Sequence, residues 1–206
     1  MRVKICGITN LEDAEAAIAA GADALGFILC EKSKRFISIE NAIGIVEKLP
    51  PFVQAVAVTV NATKEFTNLG WRKQLKNFNL AQLHGEESPV HVKAVSKYLP
   101  VIKVFPAALA QTIAPGQYEV SAFMLDTPSA ERGGTGRVFD WNLAVEFKKR
   151  TTKALILSGG LNPENVAKAI ETVHPYAVDV ASGVEASPGR KDHAKLRDFI
   201  QICKSF

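Results

Sequence analysis

Two groups able to move protons, one cationic fork and two glycine-rich turns stand out in this sequence, each just after a short apolar run. Cys6 closes Val3-Lys4-Ile5-Cys6 and precedes Gly7. Buried cysteines mostly pack without reacting, but one at a strand end ahead of a helix start is placed for a lowered pKa. Asp126 closes Phe123-Met124-Leu125. An acid after such a run either caps the following turn or, in a poorly solvated mouth, keeps its proton for donation. Arg35 lies in a basic loop with Lys32 and Lys34, either solvated or a fork that grips a carboxylate. His84, in Gln82-Leu83-His84-Gly85, reads as a general base or, as a turn histidine next to a glycine more often does, as a residue that only orients another group. Gly159-Gly160 and Ser182-Gly183 are small enough for a phosphate to approach their backbone N–H groups. Either pair alone would read as a tight turn. Gly133-Gly134-Thr135-Gly136 reads equally as a mobile surface loop and as a segment that closes over a ligand.

These residues need a scaffold that brings their strand ends together. Apolar runs at Val3–Cys6, Ala24–Leu29, Gln54–Val60, Leu80–Leu83, Val101–Val104, Ala122–Asp126, Ala154–Ser158 and Ala177–Val180 read as strands. Most are continuous and not alternating, which suits a parallel sheet covered on both faces. Helical stripes fall between them: Ala42, Ile45, Val46 and Leu49; Val166, Ala169, Ile170 and Val173; and Leu196, Phe199, Ile200 and Cys203. Ser88-Pro89 and Asn162-Pro163 supply caps followed by a proline where its missing N–H costs nothing, and Asp140 is a third cap. Eight strand-then-helix units of about 26 residues match a single (β/α)8 TIM barrel over residues 1–206 with short loops. An open doubly wound sheet is the rival, since sequence alone does not show closure. In the barrel, all the polar strand ends named above, Asp179 included, share the C-terminal rim where such folds place their chemistry.

Composition narrows the alternatives. Lys and Arg exceed Asp and Glu by +4, too mild for a nucleic-acid binder but suited to a small anion. The start lacks a secretion signal and the apolar runs fall far short of the roughly 20 residues that span a bilayer. Three widely spaced cysteines without a CxxC argue against a disulfide framework and a zinc site, with Cys30 and Cys203 read as structural. A cytoplasmic protein is expected, without metal, nucleic-acid or membrane partner, and either monomeric or homodimeric. There is no Gly-Lys pair and no HExxH, GxSxG or GxGxxG.

Lys4-Ile5-Cys6-Gly7-Ile8-Thr9, Gln82-Leu83-His84-Gly85, Leu125-Asp126, the Gly133–Gly136 run with Phe139-Asp140-Trp141, Ser158-Gly159-Gly160-Leu161 and Asp179-Val180-Ala181-Ser182-Gly183-Val184-Glu185 together resemble the phosphoribosylanthranilate isomerases, in the family's order. The resemblance implies a cofactor-free Amadori rearrangement of a small phosphosugar in tryptophan biosynthesis. It implies Asp126 as general acid, Cys6 as general base and Arg35 on the anthranilate carboxylate. Gln82, His84 and Asp179 would contact substrate, with Gly159, Gly160, Ala181, Ser182 and Gly183 around the phosphate. Two positions depart from the family pattern: Lys34 stands where proline is usual, and Ala181 where serine is common. Other readings are a barrel isomerising a different phosphoribosyl amine, and a silent phosphosugar-binding barrel. The first is told apart by whether Arg35 selects an aryl carboxylate; the second has no need of an acid and a base at opposite strand ends.

Overall fold

The computed structural model describes residues 1–62, 68–127 and 138–206. Its elements are β1 (Arg2–Cys6), α1 (Leu11–Ala20), β2 (Ala24–Ile28), α2 (Ile39–Val46), β3 (Gln54–Thr59), α3 (Leu69–Leu75), β4 (Leu80–Leu83), α4 (Pro89–Ser96) and β5 (Val101–Pro106). They continue with β6 (Ala122–Asp126), α5 (Asn142–Lys149), β7 (Ala154–Leu157), α6 (Val166–Val173), β8 (Ala177–Val180), β9 (Glu185–Ser187), β10 (Arg190–Lys191) and α7 (His193–Lys204). Strands β1 to β8 pair in parallel in chain order, and β8 pairs back to β1 with Lys4 opposite Asp179. This closure excludes the open doubly wound sheet.

The continuous apolar runs are explained by two cores on opposite sides of each strand. Val3, Ile5, Leu25, Phe27, Phe123 and Leu125 face outward into the layer beneath the helices. Val56, Val58, Ile102, Val104, Met124 and Ile156 face inward and fill the barrel. The α6 and α7 stripes are buried in full, with Leu196, Phe199, Ile200 and Cys203 all at 0% exposure. Each such large side chain contributes about 1.5–3 kcal/mol on burial. Burial also pushes the Cys203 thiol up to about 12, so it stays protonated and inert. The α2 stripe is shallower, since Val46 and Leu49 are only partly buried.

Caps fall close to the expected places. Ser88 accepts from the His91 N–H with Pro89 in the first turn, and Asp140 Oδ1 accepts from the Asn142 N–H. Asn162 caps a turn, accepting from the N–H groups of Glu164 and Asn165, and α6 itself starts later at Val166.

Two expectations need correction. The fifth unit has no α-helix: after β5 the chain makes 3-10 turns at Ala107–Leu109 and Pro115–Gln117. Pro115 and Gly116 break the helical pattern there. Tyr118 packs edge-on against Phe105 at 5.1 Å, and Arg150 Nη1 donates to the carbonyls of Ala110 and Gln111, stapling the segment to the end of α5. The unexpected element is the β9–β10 ribbon between β8 and α7, which turns at Gly189 with φ +82°.

Candidate active site

Strand alternation decides which side chains enter the barrel. Apart from Lys4 on β1, the deep inward positions named above are apolar, while Cys6, Gln82, Asp126 and Asp179 occupy inward positions nearer the C-terminal ends, with Ser158 just beyond β7. They meet at one cavity of about 1000 Å³ in the mouth of the barrel. Cys6, Arg35, Gln82, His84, Asp126 and Asp179 line it, as do Gly159, Gly160, Ala181 and Ser182. Cys30, read above as structural, also lines this cavity, as do Lys34 and Trp71. The Gly133–Gly136 run lies outside the described residues.

Cys6 is buried, and a positive neighbour, not a helix start, stands beside it. The first helix begins only at Leu11, capped by Asn10, so no helix start bears directly on the sulfur. The positive neighbour is Lys4, two residues earlier on the same strand; its Nζ and the Cys6 sulfur would both lie within 3 Å of a Cβ built on Gly26. Burial nevertheless dominates: it pushes the thiol up, Lys4 pulls it down in part, and the Asp179 charge pushes it up again. Lys4 Nζ donates to Asp179 Oδ1 at 2.7 Å, and Ser158 Oγ donates to Asp179 Oδ2 at 3.1 Å. Burial alone would lower the Lys4 pKa, but the Asp179 and Cys6 charges outweigh it and hold the ammonium form. Sequence reasoning assigned Lys4 no role; the available signal was a lysine in an apolar strand on the same face as Cys6.

On the other side of the mouth, Asp126 Oδ1 accepts from the Thr127 N–H at 2.7 Å. Its Oδ2 lies 3.3 Å from His84 Nε2, and His84 Nδ1 lies 3.4 Å from the Gln82 amide nitrogen. These contacts fit one chain of donation, from Gln82 to Nδ1 and from Nε2 to Asp126, so His84 fixes the orientation of the Asp126 carboxyl group. Gln82 and Thr59 are among the residues lining the same cavity, and Gln82 Oε1 and Thr59 Oγ1 are buried without hydrogen-bond partners among the described residues. An unmet buried polar group costs about 1–3 kcal/mol, which a ligand hydroxyl at this wall would relieve.

The loops after β7 and β8 are glycine-dependent for steric reasons. Gly159 and Gly160 have φ of +90° and +69°, and a Cβ at 159 would strike the Thr127 backbone nitrogen. Gly183 is outside the cavity lining; a Cβ there would collide with the Leu161 carbonyl, so this glycine packs loop eight onto loop seven.

Arg35 is not a solvated loop residue. Its Nε donates to Glu185 at 2.9 and 3.0 Å and its Nη2 at 2.7 Å, while Lys32 and Lys34 are exposed. Lys191, with no exposed side-chain surface, bonds Glu185 at 3.0 Å and the carbonyls of Cys6 at 2.7 Å and Ala181 at 3.2 Å. The unexpected ribbon thus supplies a buried cation and, through Glu185, the anchor for Arg35. Among the described residues no cluster of three or more His, Cys, Asp or Glu side chains could hold a metal, and no helix is long and apolar enough to cross a membrane.

A closed parallel barrel that gathers acid, thiol and cation at its C-terminal mouth defines the class as a (β/α)8-barrel enzyme fold. The sequence profile of the N-(5'-phosphoribosyl)anthranilate (PRA) isomerases matches residues 3–202. The N-(5'-phosphoribosyl)anthranilate isomerase of Citrifermentans bemidjiense is 50% identical over 205 residues, 98% of this chain and 97% of that one. The crystal structure of phosphoribosyl anthranilate isomerase from Thermotoga maritima superposes with a TM-score of 0.89 at 44% identity, over 100% of both chains. A second structure, of a phosphoribosyl anthranilate isomerase in complex with reduced 1-(o-carboxyphenylamino)-1-deoxyribulose 5-phosphate, gives 0.85 at 42% identity, again over 100% of both. The chain belongs to the N-(5'-phosphoribosyl)anthranilate isomerase family, the isomerases of tryptophan biosynthesis.

Proposed function

We propose that this protein converts N-(5'-phosphoribosyl)anthranilate into 1-(2-carboxyphenylamino)-1-deoxyribulose 5-phosphate in the cytoplasm, by a cofactor-free Amadori rearrangement. Asp126 gives its proton to the ribose ring oxygen, the C1–O bond breaks, and the amine nitrogen's lone pair forms a C1 iminium. The Cys6 thiolate then takes the C2 proton, and the electrons of that bond neutralise the iminium to an enolamine. Protonation at C1 and loss of the C2 hydroxyl proton yield the ketone. Arg35, braced by Glu185, binds the anthranilate carboxylate. The loops after β7 and β8 receive the phosphate through Gly159, Gly160, Ala181 and Ser182, while Asp179 faces the sugar.

The observation that carries this reading is that Cys6 from β1 and Asp126 from β6, remote in sequence, line one cavity. An acid and a base are both required, since one proton must be supplied to the ring oxygen and another removed from C2. The test follows the fluorescence of the anthranilate-derived substrate, generated in situ, as the protein consumes it. Folded protein that leaves the fluorescence unchanged would refute the assignment. Asp126→Asn and Cys6→Ser are each expected to lower kcat by at least about 10²-fold, the usual scale for a positioned acid or base. Retained rates would mean that the roles are assigned wrongly.

A further inference from the structure

We propose that Lys4 is the positioning residue of the Cys6 base, its ammonium group anchored by Asp179 and set against the sulfur so that the thiolate has a fixed counterion. The proposal rests on the reading of Cys6 as base. Strand parity is the first support: Lys4 and Cys6 are two residues apart on β1 and so share the inward face. Barrel closure is the second, because β8 places Asp179 directly opposite Lys4 and the carboxylate takes the ammonium at 2.7 Å. Ser158 holds the second carboxylate oxygen, leaving Asp179 fixed from two sides.

The third support is a hollow in the neighbouring strand. Gly26 pairs with Cys6 across β1 and β2, and a Cβ built on it would fall 2.8 Å from the Cys6 sulfur and 2.9 Å from Lys4 Nζ. The sulfur and the ammonium therefore crowd the same space, which only glycine leaves open. A charge partner is needed because burial disfavours the thiolate, and a neutral thiol is a poor base.

The other charges near the sulfur do not replace Lys4. Asp179, on β8, carries the wrong sign. Lys191, from the ribbon, spends its contacts on the Cys6 carbonyl, the Ala181 carbonyl and Glu185. β2 contributes Gly26, which has no charge, and across the mouth His84 is engaged with Asp126. Lys4 is the cation that shares the hollow over Gly26 with the sulfur.

The experiment compares wild-type protein with Lys4→Met and Lys4→Arg, using two readouts. One is the pH dependence of kcat; the other, made without substrate, is the pH dependence of Cys6 alkylation by iodoacetamide, located by mass spectrometry. An opposite charge at this range moves a pKa by about 1–3 units. Lys4→Met is therefore expected to displace both curves upward by at least about one pH unit and to lower kcat about tenfold or more near neutrality. Lys4→Arg, which keeps the charge, is expected to restore part of the displacement.

Should Lys4→Met fail to fold because Asp179 is left unpaired, the double variant Lys4→Met/Asp179→Asn removes both charges. Its alkylation curve is still expected to differ from that of Asp179→Asn alone. Curves that superimpose on those of the matching Lys4 protein would overturn the proposal and leave Lys4 as a strap between β1 and β8. Failure of the base reading is separately visible: Cys6→Ser would then retain kcat, whatever the alkylation curves show.

Discussion

Glu185 offers a demanding test of how the cavity wall is held, because one carboxylate serves two cations from different parts of the chain. It accepts from Arg35 Nε and Nη2, from Lys191 Nζ at 3.0 Å and from the Gly189 N–H at 3.3 Å, with only 4% of its side chain exposed. Burial by itself would raise its pKa, but Arg35 and Lys191 outweigh that and hold it below the usual glutamate range, so it is ionised near neutrality. Glu185→Ala leaves Lys191 fully buried with carbonyl partners and no countercharge. Burial already draws the Lys191 pKa down, and Glu185 is the strongest influence opposing it. Removing one partner of a buried pair costs about 3–5 kcal/mol, a large part of a typical total of about 5–15 kcal/mol. At this chain length each 1 kcal/mol moves Tm by about 2–4 °C, so Glu185→Ala is expected to melt about 6–20 °C lower. Glu185→Gln keeps the shape and some of the hydrogen bonds and is expected to lose less. Thermal melts and urea titrations measure the stability, and steady-state kinetics should show a raised KM because Arg35 loses its brace. A Glu185→Ala protein with wild-type Tm and KM would refute both the energetic account and the link from ribbon to Arg35.

Arg35→Ala is expected to raise KM about 10- to 100-fold with kcat changed only a few-fold, since it removes a charge-assisted contact made before and during reaction; a pure kcat loss in steady-state assays would contradict this. Glu87, paired with Lys103 at 2.8 Å with both side chains 1% exposed, supplies a pH signature. Burial pushes the Glu87 pKa up, Lys103 more than reverses it, and the result lies below the ordinary 4.5. A depressed carboxylate contributes stability that is fully present above its unfolded pKa and is lost as pH falls through the folded value. The difference in urea midpoint between wild type and Glu87→Gln is therefore expected to shrink on acidification from about pH 5 to pH 3. A difference that stays constant over that range would show that the pair does not supply the stability.

What the chain declares on its own is local. Apolar runs too continuous for a half-exposed sheet marked all eight barrel strands, and stripes such as Leu196, Phe199, Ile200 and Cys203 marked the helix faces, because burial on a strand or helix is written in adjacent residues. Cys6, His84 and Asp126 were legible for the same reason: each ends or follows an apolar run, and in a parallel barrel all such ends share one rim. Tertiary structure alone decided which of these groups meet. Closure sets Asp179 beside Lys4 across nearly the whole chain, and the return of the β9–β10 ribbon brings Glu185 to Arg35. Nothing in the residues around Lys4 or Arg35 specifies those partners. The helix-free fifth crossover is in part a tertiary matter too: Pro115 and Gly116 break the helical pattern locally, but Arg150 staples the connection from outside it and Tyr118 docks it on Phe105 of β5. The balance at Cys6 was also a tertiary matter: Lys4 is visible on the same strand, but burial and the Asp179 charge from β8, which oppose it, are not.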